Sequence, residues 1–514
     1  MLFVSLIFVA LVLTMKADAT YNKSVECVLR PGRPADEVQG ALGYACNVID
    51  CSPIQPGGAH FHPNTLDHHA NWAFGEYYRQ FQGAQSIDTC DFGGNAMMQC
   101  AQNNATGLLK ERIIGVNIGG FLVLEPWIVP SLFEQFVGKP ANETAIDEYT
   151  FTKVLGQEEA TKQLTKHWNS WVNATDFEKM VSIGITHIRV PFGYWIFGDI
   201  PPFVRGIEQL DRVLDLAANY SIKVLLDLHG AVGSQNGFDN SGRACDIRRG
   251  AEKLCVIPCP KHAEWGRDTN GSTVNQTLAT ITKVAERYKD HPAVWGFELV
   301  NEPRLINMSV LKDYYTRGYY AIRAVAPGWK IVIHDGFYPL QWANFMTPDQ
   351  GFTDVILDTH IYEAFGSNAN IPRSAHLQEA CGYTLNIDWM QCIELPLIVG
   401  EWSLGSTDCT KWLDGFGQTP VSTRCSQEPP NMPPNATFLS AYARRQLSAF
   451  YRSEGFFFWN FKTEASPDWD LFKAVDEGWM PSFKPISKET VEECGYAPPY
   501  FSKLFEDPAV IERN

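Results

Sequence analysis

From Arg112 onward the chain repeats one unit, a short run rich in β-branched and aromatic residues followed by a stretch with apolar residues at three- and four-residue spacing. Eight such runs occur, at 112–121, 187–192, 223–230, 293–302, 330–336, 354–362, 395–403 and 455–462. Runs of this kind are strands, and the stretches between them, such as 176–183, 206–219, 276–289 and 310–325, are amphipathic helices. Strands that alternate with helices form a parallel sheet, and eight of them predict an α/β chain folded as a (β/α)8 TIM barrel, here over residues 104–514. With 514 residues, 45% of them hydrophobic, the chain can bury a core of that size and carry one small domain besides.

Residues 20–103 differ in texture. They hold five cysteines, a turn-rich stretch at 51–58 and an expected helix at 64–81, which together indicate a small disulfide-stapled helical module. Before it, an apolar run from Leu2 to Leu13 leads to Ala17-Asp18-Ala19, the pattern of a signal peptide, residues 1–19, cut after Ala19. The run falls short of the ~20 residues that span a bilayer, so the expectation is a secreted, extracellular or wall-associated protein with no membrane attachment after cleavage. Nine N-glycosylation sequons, at Asn22, Asn104, Asn142, Asn173, Asn219, Asn270, Asn275, Asn307 and Asn435, agree with export. The 13 cysteines then imply disulfides with one thiol left over. A formal net charge of −16, with no basic cluster among aromatics, argues against nucleic acid or an anionic membrane as partner.

In a barrel of this type, chemistry sits where the strands end. The residues closing the apolar runs are Arg189, His229, Asn301 with Glu302, His360 with Tyr362, Glu401 and Trp459. Strand ends meet solvent, so any one polar residue there is ordinary. Two carboxylates on separate strands, among an arginine, two histidines, an asparagine, a tyrosine and a tryptophan, form the set that double-displacement cleavage of a glycoside needs. Such pairs stand ~5–5.5 Å apart in retaining enzymes. Glu302, between Asn301 and Pro303 at a strand tip, is expected to have a raised pKa and to act as general acid/base. Glu401, held ionised by Arg189 and Tyr362, is expected to be the nucleophile. This chemistry needs neither cofactor nor metal.

The stretches GVNIGGFLVLEPWIVPSLFE at 115–134, DLHGAVGSQNGFDNSG at 227–242, GFELVNEP at 296–303 and VGEWSLGSTDC at 399–409 resemble the exo-β-1,3-glucanase branch of family 5 glycoside hydrolases. The resemblance implies the same roles for Glu302 and Glu401, with Arg189, His229, Asn301, His360 and Tyr362 lining the cleavage subsite. It further implies Glu125 and Trp459 as ligands of the terminal glucose, Asp239 and Asn240 as their polar neighbours, and Phe238 with Phe365 as an aromatic clamp at the entrance. The sequence departs from that branch at Phe121, where a tryptophan is usual and a change is expected to repack the barrel floor. It also departs in a loop at 243–266 carrying Cys245, Cys255 and Cys259, which bears on the subsites for longer glucans.

Residues 27–100 resemble a family 43 carbohydrate-binding module through the stretch from Glu37 to Phe81 and the later CDFGG. The resemblance implies a β-1,3-glucan-binding module with bridges Cys27–Cys90 and Cys46–Cys51. His60 stands where that family has a cysteine, which leaves Cys100 without its partner and accounts for the odd count. Phe61 and Trp72 are the candidates for a sugar platform, while the helical spacing of Phe74, Tyr77 and Tyr78 marks core. A zinc set of His60, His62, His68 and His69 is the weaker reading, because His60 replaces a cysteine. The expected partner is β-1,3-glucan, cut from the non-reducing end. An endo-acting or β-1,6-directed glucanase and an inactive glucan-binding wall protein are the rivals. Nothing in the sequence sets an oligomeric state.

Overall fold

The computed structural model describes residues 25–30, 33–81, 90, 92–100, 112–244, 263–390, 393–426, 435–484 and 486–494. The proposed signal peptide, most of the 243–266 loop with its three cysteines, Cys392 and the Cys100 side chain lie outside the described residues. The chain divides into two compact units, residues 1–102 and 103–514.

In the first unit, β1 (Val25–Leu29) pairs antiparallel with β2 (Ala96–Cys100). Two helices, Ala35–Cys46 and Leu66–Phe81, pack with this ribbon. Val38, Leu42 and Ala45 face inward at helical spacing against Ala70, Ala73, Phe74 and Tyr78. Phe74 stacks on Phe92 with centroids 4.3 Å apart, so it belongs to the core, as does the buried Tyr78. Disulfides join Cys27 to Cys90 and Cys46 to Cys51, the pairing that the family resemblance implies. A sheet of two strands cannot enclose a core alone, and covalent staples supply what the small apolar interior lacks.

The second unit is a closed barrel of eight parallel strands. They are β3 (Ile113–Asn117), β4 (His187–Gly193), β5 (Lys223–Gly230), β6 (Val294–Glu298), β7 (Lys330–His334), β8 (Val355–His360), β9 (Leu397–Trp402) and β10 (Gly455–Phe458), which closes on β3. All eight expected strands are present. Several stop earlier than their apolar runs, β6 at Glu298, so Asn301 and Glu302 stand on the segment that follows it. Inside, Ile113, Leu225, Val332, Ile356, Ile398 and Phe457 form one buried apolar cluster contributed by six of the strands. Helices cover the outside. The one at Ile207–Asn219 buries Ile207, Leu210, Val213, Leu214 and Ala217, and the one at Ala174–Ile183 starts on an Asn173 cap and stops at Gly184 in the left-handed conformation.

Phe121 is buried, and its ring faces the Arg212 guanidinium of a covering helix at 5.9 Å, while its carbonyl accepts from the Trp168 indole. It therefore packs in the layer between strands and helices and does not form the barrel floor, because it follows the exit end of β3. Among the sequons, Asn142, Asn219, Asn270, Asn275, Asn307 and Asn435 are exposed. No helix among the described residues is long and apolar enough to cross a membrane.

Two further bridges, Cys381–Cys494 and Cys409–Cys425, staple the barrel unit. The first closes a loop 113 residues apart in sequence and holds the chain after the short Lys488–Val491 helix against the helix Arg373–Met390. Replacing Cys381 and Cys494 together by serine should cost ~2–5 kcal/mol. A lower urea midpoint for the oxidised double variant is the expected result, and an unchanged midpoint would show that the bridge adds nothing.

Candidate active site

The carboxyl ends of the strands bring most of the expected residues into one cluster around Arg189, which is fully buried on β4. Its Nε donates to Glu298 Oε2 at 2.6 Å and its Nη1 to Glu401 Oε1 at 2.8 Å and Asn117 Oδ1 at 3.0 Å. Its Nη2 reaches Asn301 Oδ1 at 2.9 Å and Asp227 Oδ2 at 3.1 Å. Burial alone would lower the pKa of Arg189; Asp227, Glu298 and Glu401 outweigh it, so the guanidinium stays charged. Glu298 is pushed well above the carboxylate range by burial despite the Arg189 contact.

The two central carboxylates meet at one imidazole. His360 Nδ1 lies 2.9 Å from Glu302 Oε1 and 3.4 Å from Glu401 Oε2. The two oxygens are therefore no farther apart than those contacts laid end to end. That bound is shorter than the ~6.5–9.5 Å of inverting pairs and accommodates the ~5–5.5 Å of retaining ones. Tyr362 donates its hydroxyl to Glu401 Oε2 at 2.8 Å, and Asn240 donates to Glu302 Oε2 at 3.2 Å. Glu302 has φ +42°, a left-handed conformation that costs a residue with a Cβ ~1–2 kcal/mol. The surrounding contacts hold the side chain in place against that strain.

Electrostatics here reverses the proton placement expected from sequence. Burial raises Glu302, but the hydrogen bond and positive charge of His360, with a smaller share from His229, bring it below its ordinary value. Burial raises Glu401 in spite of His360 and Arg189. At His360, burial would lower the pKa, yet Glu401 and Asp358 lift it well above the histidine range. The directions thus favour a charged His360 hydrogen-bonded to a Glu302 carboxylate over a protonated Glu302.

Around this centre, His229 Nδ1 bonds Asp227 Oδ2 at 2.6 Å, and its ring stacks on Trp459 at 5.4 Å and 9°. Glu125 accepts from the Trp127 indole at 2.9 Å, and burial with the charges of Asp239, Glu401 and Glu302 raises it well above the carboxylate range. Tyr362, Trp469 and Phe365 form an aromatic wall, with Trp127 edge-on to Trp469 at 5.1 Å. Phe365 is on that wall, and Phe238 sits beneath the Arg304 guanidinium at 5.5 Å. Glu302, His334 and His360 converge closely enough to suggest a cation site. Glu302 and His360 already satisfy each other, and a positive His360 opposes a cation.

Sequence reading missed Asn117, Asp227, Glu298, Asp358, Trp127 and Trp469. Asp227 and Asp358 lie two residues before His229 and His360, so the period of two along a strand puts each pair on the same inner face. That was a usable signal. Gly400 belongs with them: a Cβ there would fall 2.0 Å from Asp358 Oδ2, and its own N–H donates to Asp358 Oδ1 at 2.6 Å.

Residues 153–422 match the family described as cellulase (glycosyl hydrolase family 5), and residues 25–97 match the X8 domain. The chain is 36% identical over 412 residues to a glucan 1,3-beta-glucosidase of Blumeria graminis, covering 75% of this chain and 90% of that protein. The chain belongs to glycosyl hydrolase family 5. It is thus a glycoside hydrolase of a retaining family that also carries an X8 domain. A probable glucan 1,3-beta-glucosidase A of Emericella nidulans is 37% identical over 413 residues, covering 76% of this chain and 94% of that one. In fold, the chain resembles the crystal structure of rutinosidase from Aspergillus niger, with a TM-score of 0.56 at 18% identity over 72% of this chain and 98% of that one.

Two segments beside this family 5 site, those carrying Glu125 and Asp239, are held by the start of one helix, Glu148–Trp171. Glu148 accepts from Leu124 N, beside Glu125, at 3.0 Å and from the Trp195 indole at 2.8 Å. Asp147 accepts from Ala244 N at 2.6 Å, and Tyr149 N donates to Gly242 O at 2.9 Å, which anchors the loop bearing Asp239 and Asn240. Burial raises Glu148 from 4.5 to about 8. A raised carboxyl contributes stability below its unfolded value that is lost as pH rises through the folded one. Wild type should therefore lose stability relative to Glu148→Gln between pH 4.5 and about 8. Urea midpoints across that window check this, and parallel pH profiles would contradict it.

Proposed function

We propose that this chain is a secreted glucan 1,3-β-glucosidase that releases glucose from the non-reducing ends of β-1,3-glucan, with Glu302 as general acid/base and Glu401 as nucleophile. The observation that carries the reading is the single imidazole in contact with both carboxylates, which keeps them closer than the pair of an inverting enzyme stands. The relatives named glucan 1,3-beta-glucosidase, matched over most of their length, support the sugar and linkage. Glu125, buried within electrostatic reach of both central carboxylates, and Trp459, stacked on His229, are suited to the hydroxyls and face of a terminal glucose. Residues 20–103 would be a family 43 carbohydrate-binding module that concentrates the enzyme on its polymer, and residues 1–19 a signal peptide.

In the mechanism, the proton passes from His360 Nδ1 to Glu302 Oε1 along their hydrogen bond as substrate fills the site. His360 is then neutral, and Arg189 and Tyr362 remain to stabilise the Glu401 anion. Glu401 attacks the anomeric carbon, the glycosidic C–O bond breaks, and Glu302 gives its proton to the leaving oxygen. Water then enters, Glu302 takes its proton, and attack at the same carbon displaces Glu401. A sugar hydroxyl in place of that water yields transglycosylation.

Glucose should be the first product from laminarin, with pustulan a poor substrate; mixed oligosaccharides from laminarin would instead mean internal cutting. No turnover of an aryl β-glucoside would point to a binding protein. Glu401→Gly should be inactive and regain turnover with azide, giving the α-glucosyl azide, whereas Glu302→Ala with an activated leaving group should give the β product. The opposite stereochemistry would reverse the two roles.

A further inference from the structure

The N-terminal unit carries a groove of about 470 Å³ between its two helices and the turn at 52–55. Buried Leu42 and Ile54 form its floor. Phe61 and His69 line it together, and they fix each other: His69 Nε2 bonds the Phe61 carbonyl at 2.9 Å, and the two rings stack at 5.6 Å and 28°. Three exposed side-chain amides, Gln39, Gln55 and Asn64, complete the lining. None of the lining residues is Asp, Glu, Lys or Arg, in a chain whose net charge is −16.

Those features select a ligand class. A groove without formal charge offers nothing to a phosphate or an ionised peptide side chain. An apolar floor and an aromatic wall suit the C–H face of a pyranose, and amides offer both donors and acceptors to its hydroxyls. Trp72, the other aromatic expected to bind sugar, is absent from this lining and is stacked instead on His60 at 5.7 Å and 28°. We infer that this groove, and not the Trp72 face, holds a β-1,3-glucan chain, with Phe61 as the stacking residue and Gln39, Gln55 and Asn64 as its hydroxyl partners. The inference rests on reading the N-terminal unit as glucan-binding and assigns the residues that do the binding.

The test uses the full chain trapped as its 2-deoxy-2-fluoroglucosyl adduct on Glu401, which stops hydrolysis and fills the barrel site. Co-sedimentation with insoluble β-1,3-glucan then reports the N-terminal unit. Phe61→Ala and the Gln39→Ala/Asn64→Ala double variant should bind about tenfold more weakly, a loss of ~1.4 kcal/mol, and Phe61→Trp should retain binding. Trp72→Ala should bind as the parent does. Aryl β-glucoside turnover before trapping and an unchanged thermal midpoint check that each variant is folded. A parent that sediments while the groove variants sediment equally well, or a loss confined to Trp72→Ala, overturns the groove assignment alone. A parent that does not sediment overturns the glucan-binding reading with it.

Discussion

The guanidinium of Arg189 is the point on which the barrel interior turns. It enters from β4 and is met by groups from β3, β5, the segment after β6, and β9, with Glu298 on β6 itself. An uncompensated cation, or the carboxylates without it, could not remain in that interior; breaking such a buried pair costs ~3–5 kcal/mol. The same contacts that make the charge tolerable set the direction of Glu401. Structure and chemistry therefore draw on one set of hydrogen bonds.

His360 plays the complementary part. It faces Glu302, Glu401 and Asp358, with the neutral His334 ring edge-on at 4.4 Å. Burial first, and then the charges of His360 and Arg189, push His334 well below the histidine range, so it adds no second charge. His360 is thereby the one histidine of the pair that burial and its neighbours hold charged, and it stands beside Glu302. The strained backbone at Glu302 is consistent with a side chain placed for that exchange and not for local stability.

Much of the barrel was legible in the sequence because strand and helix leave different periods, and Glu302, Glu401, Arg189 and Tyr362 stood where strands end. The residues missed were of two kinds. Glu298 sits inside an apolar run, where a carboxylate makes sense only once its buried partner Arg189 is known, while Asp227 and Asp358 were signalled only by their period-two spacing to His229 and His360. Trp127 is in a turn and Trp469 ends the short 3-10 helix Pro467–Trp469, and the approach of both to the site depends on tertiary packing. Proton placement was misread for a similar reason: the raised Glu302 was inferred from burial and a neighbouring acid, while the imidazole 2.9 Å away comes from a strand 58 residues on. In the N-terminal unit the helix spacing marked Phe74, Tyr77 and Tyr78 as core, and Phe74 and Tyr78 are buried while Tyr77 is half-buried, but spacing could not say that His60 stacks on Trp72 while His69 braces Phe61.

Glu302 and Glu401, both within reach of the His360 imidazole, are proposed to cut a β-glucan with retention. Proton NMR of the first glucose released from laminarin, read before mutarotation, tests it most directly. The β anomer should appear first, with the α anomer growing in only as the solution equilibrates. Initial release of the α anomer would mean direct attack by water, and would rule out Glu401 as nucleophile.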